Sequence, residues 1–165
     1  MSDNPTCGLC SPTLAPLIAS DHDWRLILNH NQNLLGKCFW VLQRHEEQVA
    51  ALTPAEWVAL HGHIQHTVAA LSAVWMPDHF NIVFLQNQDR HVHLHVIPRY
   101  ASPRDVLGRT FEDRDYPSHY AVAGPSLGLP DEYRSPLAKP PLENSDLTAI
   151  SEMLRKAYAR VRDRV

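Results

Sequence analysis

The hydrophobic and polar positions of this chain predict four strands. Short apolar runs, rich in Trp, Ile, Leu, Val and Phe and bounded by polar turns, are typical of strands. They lie at 24–28, 37–42, 81–85 and 92–97. In the last run Val92, Leu94 and Val96 alternate with histidines. Because successive strand side chains point to opposite faces, this strand has one apolar face and one histidine face.

A long helix is predicted after the second strand. Thr53-Pro54-Ala55-Glu56 combines a capping box with proline at the first helical position. Apolar residues then recur every three or four positions, and Pro77 ends the pattern. This apolar stripe contains Trp57, Leu60, Ile64, Val68, Leu71 and Trp75.

A proline-rich excursion separates this compact part from a final helix. Seven of the 13 prolines fall between 101 and 143. This composition predicts irregular structure, with a short helix near 104–107. Asn144 or Ser145 is then expected to cap a helix over 144–163. Its apolar stripe contains Leu147, Ile150, Leu154, Tyr158 and Val161.

The order of these elements predicts an α+β fold. Strands and helices do not alternate regularly, which favours an antiparallel sheet with a main helix and a C-terminal helix over a parallel sheet. At 165 residues the chain fits one domain, 1–165. We expect its core at about 5–100, followed by the excursion at 101–143.

Composition limits the possible partners and the location. The net charge of −3 gives no indication of general polyanion binding, so no specific nucleic acid is expected. Three cysteines are too few for a disulfide scaffold and favour a reducing compartment. Neither a signal peptide nor a membrane-length apolar run is evident. We therefore predict a cytoplasmic protein without a membrane partner.

The histidine face is the strongest candidate for chemistry. His91, His93 and His95 follow one another at spacings of roughly 6.5–7 Å on a strand. Two such neighbours could share a catalytic zinc ion, but the outer pair, roughly 13 Å apart, could not do so on a straight strand. Alternatively, the central imidazole could act as a covalent nucleophile toward phosphorus. A solvated polar strand is the remaining alternative.

The run His91-Val92-His93-Leu94-His95-Val96-Ile97 resembles the signature of the histidine triad (HIT) family of nucleotide hydrolases and transferases. The likeness covers roughly 5–100. It implies that His93 attacks the α-phosphorus of a nucleotide while His95 assists, with no metal needed for that step. It also implies a homodimer. The implied substrate is a nucleoside polyphosphate, such as a diadenosine polyphosphate, or a nucleoside phosphoramidate.

Cys7-Gly8-Leu9-Cys10 is a second motif with chemical potential. Redox CxxC pairs usually lie in a βαβ unit, which the pattern here does not predict. Several HIT proteins bind zinc through such a pair together with two histidines. The resemblance implies that these are His45 and His91, giving a structural Cys₂His₂ zinc site. Two reduced cysteines without metal are the alternative.

The surroundings of the triad depart from the HIT pattern. Lys37 stands where many members have a fourth histidine, and the usual glycine-rich loop is replaced by a short polar link. We expect the substrate to be bound by Lys37, Asn87, Gln88, Arg90 and Arg99. Two other functions stay open: a zinc-dependent hydrolase that uses the histidines as catalytic metal ligands, and a nucleotide-binding protein with little turnover.

Overall fold

A five-stranded antiparallel sheet forms the centre of the chain. The computed structural model describes residues 7–11, 16–86, 89–118 and 142–164. In chain order the strands are β1 (Leu17–Ser20), β2 (Trp24–Leu28), β3 (Cys38–Leu42), β4 (His79–Phe84) and β5 (His93–Arg99). Their spatial order is β1-β2-β3-β5-β4, and every pairing is antiparallel. The predicted α+β class is confirmed.

The four predicted strands are present: β2 has the predicted bounds, and the ends of the other three are shifted by one or two residues. Strand β1 is an additional edge strand. The sequence did not indicate β1 because it is only four residues long and buries Ile18 alone. Such a short element shows little alternation.

Both predicted helices are confirmed. Helix α1 spans Pro54–Trp75, and the backbone N–H of Glu56 donates to the Thr53 hydroxyl at 3.2 Å. Helix α2 spans Asn144–Arg162. Its N-cap is Glu143 rather than Asn144 or Ser145, because the Asp146 carboxylate accepts from the Glu143 backbone N–H at 2.9 Å. No helix within the described ranges is long and apolar enough to span a membrane.

The two sheet faces have different surroundings. Trp40 and Leu94 belong to the main apolar core, which includes Leu60 of α1 and Leu154 of α2. The histidine-bearing face has a smaller apolar cluster of Leu9, Ile27 and Val41, with Cys7 and Phe39 against it. The helices therefore stabilise the sheet from one side and leave the face that carries His93 and His95 uncovered by them.

The short helix expected near 104–107 is wrong, because this stretch forms a β-hairpin. Strands β6 (Arg104–Val106) and β7 (Arg109–Phe111) pair across Leu107 and Gly108, whose φ angles are 54° and 70°. Positive φ at both turn residues suits a tight hairpin. The Arg104 guanidinium also donates to the Trp75 carbonyl at 2.9 Å, so the hairpin is held against the C-terminal end of α1. Residues 119–141 of the excursion lie outside the described residues.

Candidate catalytic and metal site

Strand β5 presents two of the three histidines from the middle of the sheet. His93 lies opposite Val41, and His95 lies opposite Phe39 of β3 and Val83 of β4. His91 precedes the strand. The row of three is therefore divided: a pair on the strand and one residue before it.

The hydrogen bond of His93 determines which of its ring nitrogens is reactive. His93 is 6% exposed, and its Nδ1 lies 2.7 Å from the His91 carbonyl oxygen. A carbonyl only accepts, so Nδ1 carries the proton and Nε2 keeps its lone pair. Burial lowers the pKa of His93, which favours the neutral ring. His93 thus has the tautomer that a nucleophilic Nε2 requires.

His95 is a neutral neighbour of His93. The centroids of the two rings are 4.8 Å apart, and the Phe39 ring lies 5.8 Å from His93 and 5.6 Å from His95. Burial lowers the pKa of His95 to about 3, and the charges of His93 and Lys37 act in the same direction. Near neutral pH, His95 can therefore donate or accept one hydrogen bond without carrying charge.

Lys37 brings an amine to the same sheet face, two residues before Phe39. It is 7% exposed, and its Nζ donates to the Asn33 side-chain oxygen at 2.5 Å. Burial lowers the pKa of Lys37 to about 8. The amine is thus mostly protonated near neutral pH and becomes neutral as the solution turns moderately alkaline.

The other expected substrate-binding residues are dispersed. Arg90 is exposed, 4.0 Å from the Glu47 carboxylate. Arg99 lies six residues beyond His93, about 20 Å along the strand. Its buried guanidinium binds Asp113 at 2.6 Å. Arg99 therefore anchors the segment after the hairpin. Asn87 and Gln88 lie outside the described residues.

The four residues expected to bind metal lie together. The ligand atoms of Cys7, Cys10, His45 and His91 are all within 4.8 Å of one another. The Nδ1 atom of His91 is 3.5 Å from each of the two sulfurs, and the Nδ1 atom of His45 is 3.4 Å from the Cys10 sulfur. This cluster could hold a metal ion.

The geometry of the cluster suits tetrahedral coordination. Zinc bonds of about 2.3 Å to sulfur and about 2.0–2.1 Å to nitrogen place tetrahedral S and N ligands about 3.5 Å apart. The three S···N distances given above agree with this value. His91 donates from Nε2 to the Leu42 carbonyl at 2.8 Å, so its Nδ1 lone pair is directed to the sulfurs. The donor set and the tautomer of His91 fit zinc.

Local backbone structure assembles the cluster. Cys7 is the N-cap and Cys10 the last residue of a 3-10 turn, in which the Cys10 N–H donates to the Cys7 carbonyl at 3.1 Å. His45 lies three residues after the end of β3, and the Val92 N–H donates to the Glu46 carbonyl at 2.7 Å. The residues after β3 are therefore held against those before β5.

Sequence reasoning missed two residues of this region, Phe39 and Arg25. Phe39 contacts both strand histidines, and the Arg25 guanidinium donates to the Leu9 carbonyl inside the CxxC turn. Arg25 left a signal in the sequence, because it is the one charged residue within the apolar run 24–28. Phe39 left none, since an aromatic residue in a strand is ordinary.

No family model and no curated protein matches the chain.

Solved structures, in contrast, match over nearly the whole chain. A protein from Sulfolobus tokodaii, described as a hypothetical histidine triad nucleotide-binding protein, is 14% identical, with 96% of each chain covered and a TM-score of 0.69. A Zn-bound histidine triad family protein from Mycobacterium smegmatis is 17% identical, with 98% of this chain and 99% of that chain covered and a TM-score of 0.63.

A histidine triad protein from Sinorhizobium meliloti is 20% identical, covers 86% of this chain and 87% of its own, and has a TM-score of 0.61. The chain therefore has the fold of the histidine triad proteins, as its His-Val-His-Leu-His-Val-Ile run predicted.

Proposed function

We propose that this protein is a nucleotide hydrolase or nucleotidyl transferase acting at the α-phosphorus of a nucleoside polyphosphate or nucleoside phosphoramidate. The observation that carries the proposal is the His93 tautomer: Nδ1 donates to the His91 carbonyl, which leaves the Nε2 lone pair for attack. The Sulfolobus tokodaii protein of the same fold, described as nucleotide-binding, supports the substrate class.

The reaction would proceed in two displacements. His93 Nε2 forms a bond to the α-phosphorus, and the bond from phosphorus to the leaving group breaks, with its electron pair going to the leaving group. Water or another acceptor then attacks the phosphorus, the N–P bond breaks and its electron pair returns to Nε2. The proton lost by the acceptor balances the one taken up by the leaving group. Nδ1 stays protonated and bonded to the His91 carbonyl throughout.

His95 and Lys37 would stabilise charge on the phosphoryl oxygens. Such stabilisation and positioning are the main contributions to phosphoryl transfer. Neutral His95 can donate one hydrogen bond, and the Lys37 amine supplies positive charge from the same sheet face. We keep Asn87, Gln88 and Arg90 as candidate substrate contacts. Arg99 stays a more distant candidate because its charge is paired with Asp113.

We assign zinc to Cys7, Cys10, His45 and His91 as a structural ion. Four protein ligands would fill a tetrahedral site, whereas catalytic zinc keeps one position open for water or substrate. The zinc-bound Mycobacterium smegmatis protein of this fold supports the assignment. Zinc bound there would hold the His91 ring, and with it the carbonyl that orients His93, so this arrangement favours the covalent reaction over the catalytic-zinc alternative.

Trapping the intermediate tests the proposed function. The protein is mixed with a panel of dinucleoside polyphosphates and nucleoside phosphoramidates, quenched, and examined by intact mass spectrometry. We expect an increase equal to one nucleoside monophosphate less water, and peptide mapping should assign it to His93. Nucleotide binding without turnover or adduct would instead favour the binding-protein alternative.

The Lys37 amine should impose an alkaline limb on activity toward polyphosphates. Its pKa of about 8 means that the cation is present below that pH and is lost above it. We expect kcat/KM to decline as pH rises through about 8. Lys37→Met should lower kcat/KM by about 10- to 100-fold and remove this limb. Steady-state pH profiles measure both effects.

Lys156→Met provides the matched control, since this lysine is exposed on α2. Its profile should equal that of the wild type. An unchanged alkaline limb in Lys37→Met would contradict a role for Lys37 in phosphate binding.

We also propose a homodimer formed along β4. This strand is at the sheet edge, and exposed apolar Ile82, Trp57 and Val58 lie on β4 and the start of α1. The Trp57 and Phe84 rings meet with centroids 5.9 Å apart, so the two elements share one apolar surface.

We expect Ile82→Glu to convert a dimer into a monomer in sedimentation equilibrium. Leu107→Glu, at an exposed apolar residue on the hairpin, should leave the dimer intact; a dimeric Ile82→Glu variant would exclude the β4 interface.

The protein would act as one domain in the cytoplasm. The three cysteines are unpaired, and a reducing compartment keeps Cys7 and Cys10 available as thiolate ligands.

A further inference from the structure

Arg25 occupies an unusual place on the sheet. It lies in β2, within the run Trp24-Arg25-Leu26-Ile27-Leu28, and is directly opposite Val41 of β3. Strand alternation places it on the face of the small apolar cluster that includes Ile27 and Val41. An arginine half-buried among apolar side chains needs polar partners to offset its desolvation.

One partner of Arg25 lies in the middle of the CxxC turn. The Nη2 atom donates to the backbone carbonyl of Leu9, between the two cysteines. The Leu9 side chain packs on Ile27 and Val41 below it. The guanidinium and this apolar contact together fix the turn to the sheet.

The Arg25 guanidinium also has an unused hydrogen-bond donor. Within the described part of the chain, the buried Nε atom of Arg25 has no hydrogen-bond partner. Because Nη2 binds the carbonyl of Leu9, the residue directly before Cys10, the guanidinium lies beside the CxxC turn. A buried N–H without a partner costs free energy, and a thiolate sulfur would relieve that cost.

We propose that Arg25 is a positioning residue of the metal centre, holding the CxxC turn through Leu9 and donating its Nε–H to a cysteine thiolate when zinc binds. The inference rests on the zinc site of the proposed function and adds a residue outside its four ligands. Partners that orient metal ligands typically contribute about 10- to 100-fold to metal affinity.

Zinc affinity of the full-length protein tests this role. We compare wild type with Arg25→Gln and Arg25→Lys, using chelator competition for zinc and the absorption spectrum of the cobalt-substituted protein. Arg25→Gln should bind zinc about 10- to 100-fold more weakly and show an altered cobalt spectrum. Arg25→Lys should also bind more weakly, because lysine keeps the charge but lacks the planar fork that can serve two acceptors.

Arg155→Gln is the matched control. Arg155 also donates to a backbone carbonyl, that of Leu17 at 2.6 Å, but it is an exposed residue of α2. Its zinc affinity should equal that of the wild type. If Arg25→Gln is folded by circular dichroism and binds zinc as tightly as the wild type, the inference is overturned. If Arg25→Gln is unfolded, wild-type zinc affinity in Arg25→Lys would overturn it instead. A wild type that binds no zinc would instead refute the metal site itself, while leaving the His93 chemistry to its own test.

Discussion

Replacing His93 with alanine should abolish turnover, lowering kcat by a factor on the order of 10⁴ or more. The substitution removes Nε2, the atom proposed to bond to phosphorus, and neither His91 nor His95 can replace it. His91 directs its Nδ1 to the cysteine sulfurs, and His95 is offset along the strand. Product release from the cleaved polyphosphate and the mass of the trapped adduct measure the effect.

The expected pattern separates the three candidate functions. His93→Ala should keep its fold by circular dichroism and lose both turnover and adduct, whereas His61→Ala, at an exposed histidine of α1, should behave as wild type. Retained turnover in His93→Ala, together with activity that disappears on zinc removal and returns with zinc, would establish the catalytic-metal alternative. Nucleotide binding with no turnover in the wild type would favour a binding protein.

The sequence predicted the strand histidines well because their information is local. A period of two over 92–97 determines both the strand and the shared face of His93 and His95. The same applies to α1, whose start is encoded within four residues by Thr53 and Glu56. Elements defined by such short patterns were confirmed.

Contacts between residues far apart in the sequence could be predicted only through the resemblance to the histidine triad family. Cys7 and His91 are 84 positions apart, and no periodicity connects them. The ion pair between Arg99 and Asp113 was not predicted either, because Asp113 lies in a segment whose composition predicts irregular structure. The hairpin at 104–111 depends on two positive φ angles, which Leu107-Gly108 indicates only weakly.

His91 connects the candidate metal cluster to His93, the proposed nucleophile. Its ring presents Nδ1 to Cys7 and Cys10, while its carbonyl accepts the Nδ1 proton of His93. A second connection is apolar, since Leu9 of the CxxC turn and Phe39 lie in the same small cluster and Phe39 contacts His93. Disturbing this cluster should therefore alter the orientation of His93, although the proposed reaction involves no step at the metal.

Replacing Cys10 with serine should eliminate stoichiometric zinc and lower the stability of the protein. Cys10 lies 3.4 Å from His45 Nδ1 and 3.5 Å from His91 Nδ1, and a hydroxyl is a poor zinc ligand beside the remaining thiolate. Zinc bound only to the folded state stabilises it by about 4 kcal/mol when free zinc is about 1,000 times its Kd. Metal analysis and chemical unfolding at fixed free zinc measure the two losses.

The response to a chelator provides the internal check on this expectation. Wild-type protein should show a lower Tm and weaker nucleotidyl-His93 formation after zinc removal, and both should recover when zinc is added back. Cys10→Ser should show little response to either treatment. Cys38→Ala, which removes the buried cysteine outside the cluster, should keep its zinc and the wild-type response. A wild-type Tm that is indifferent to zinc would contradict a structural ion, and intact adduct formation in the zinc-free protein would show that His93 is oriented without it.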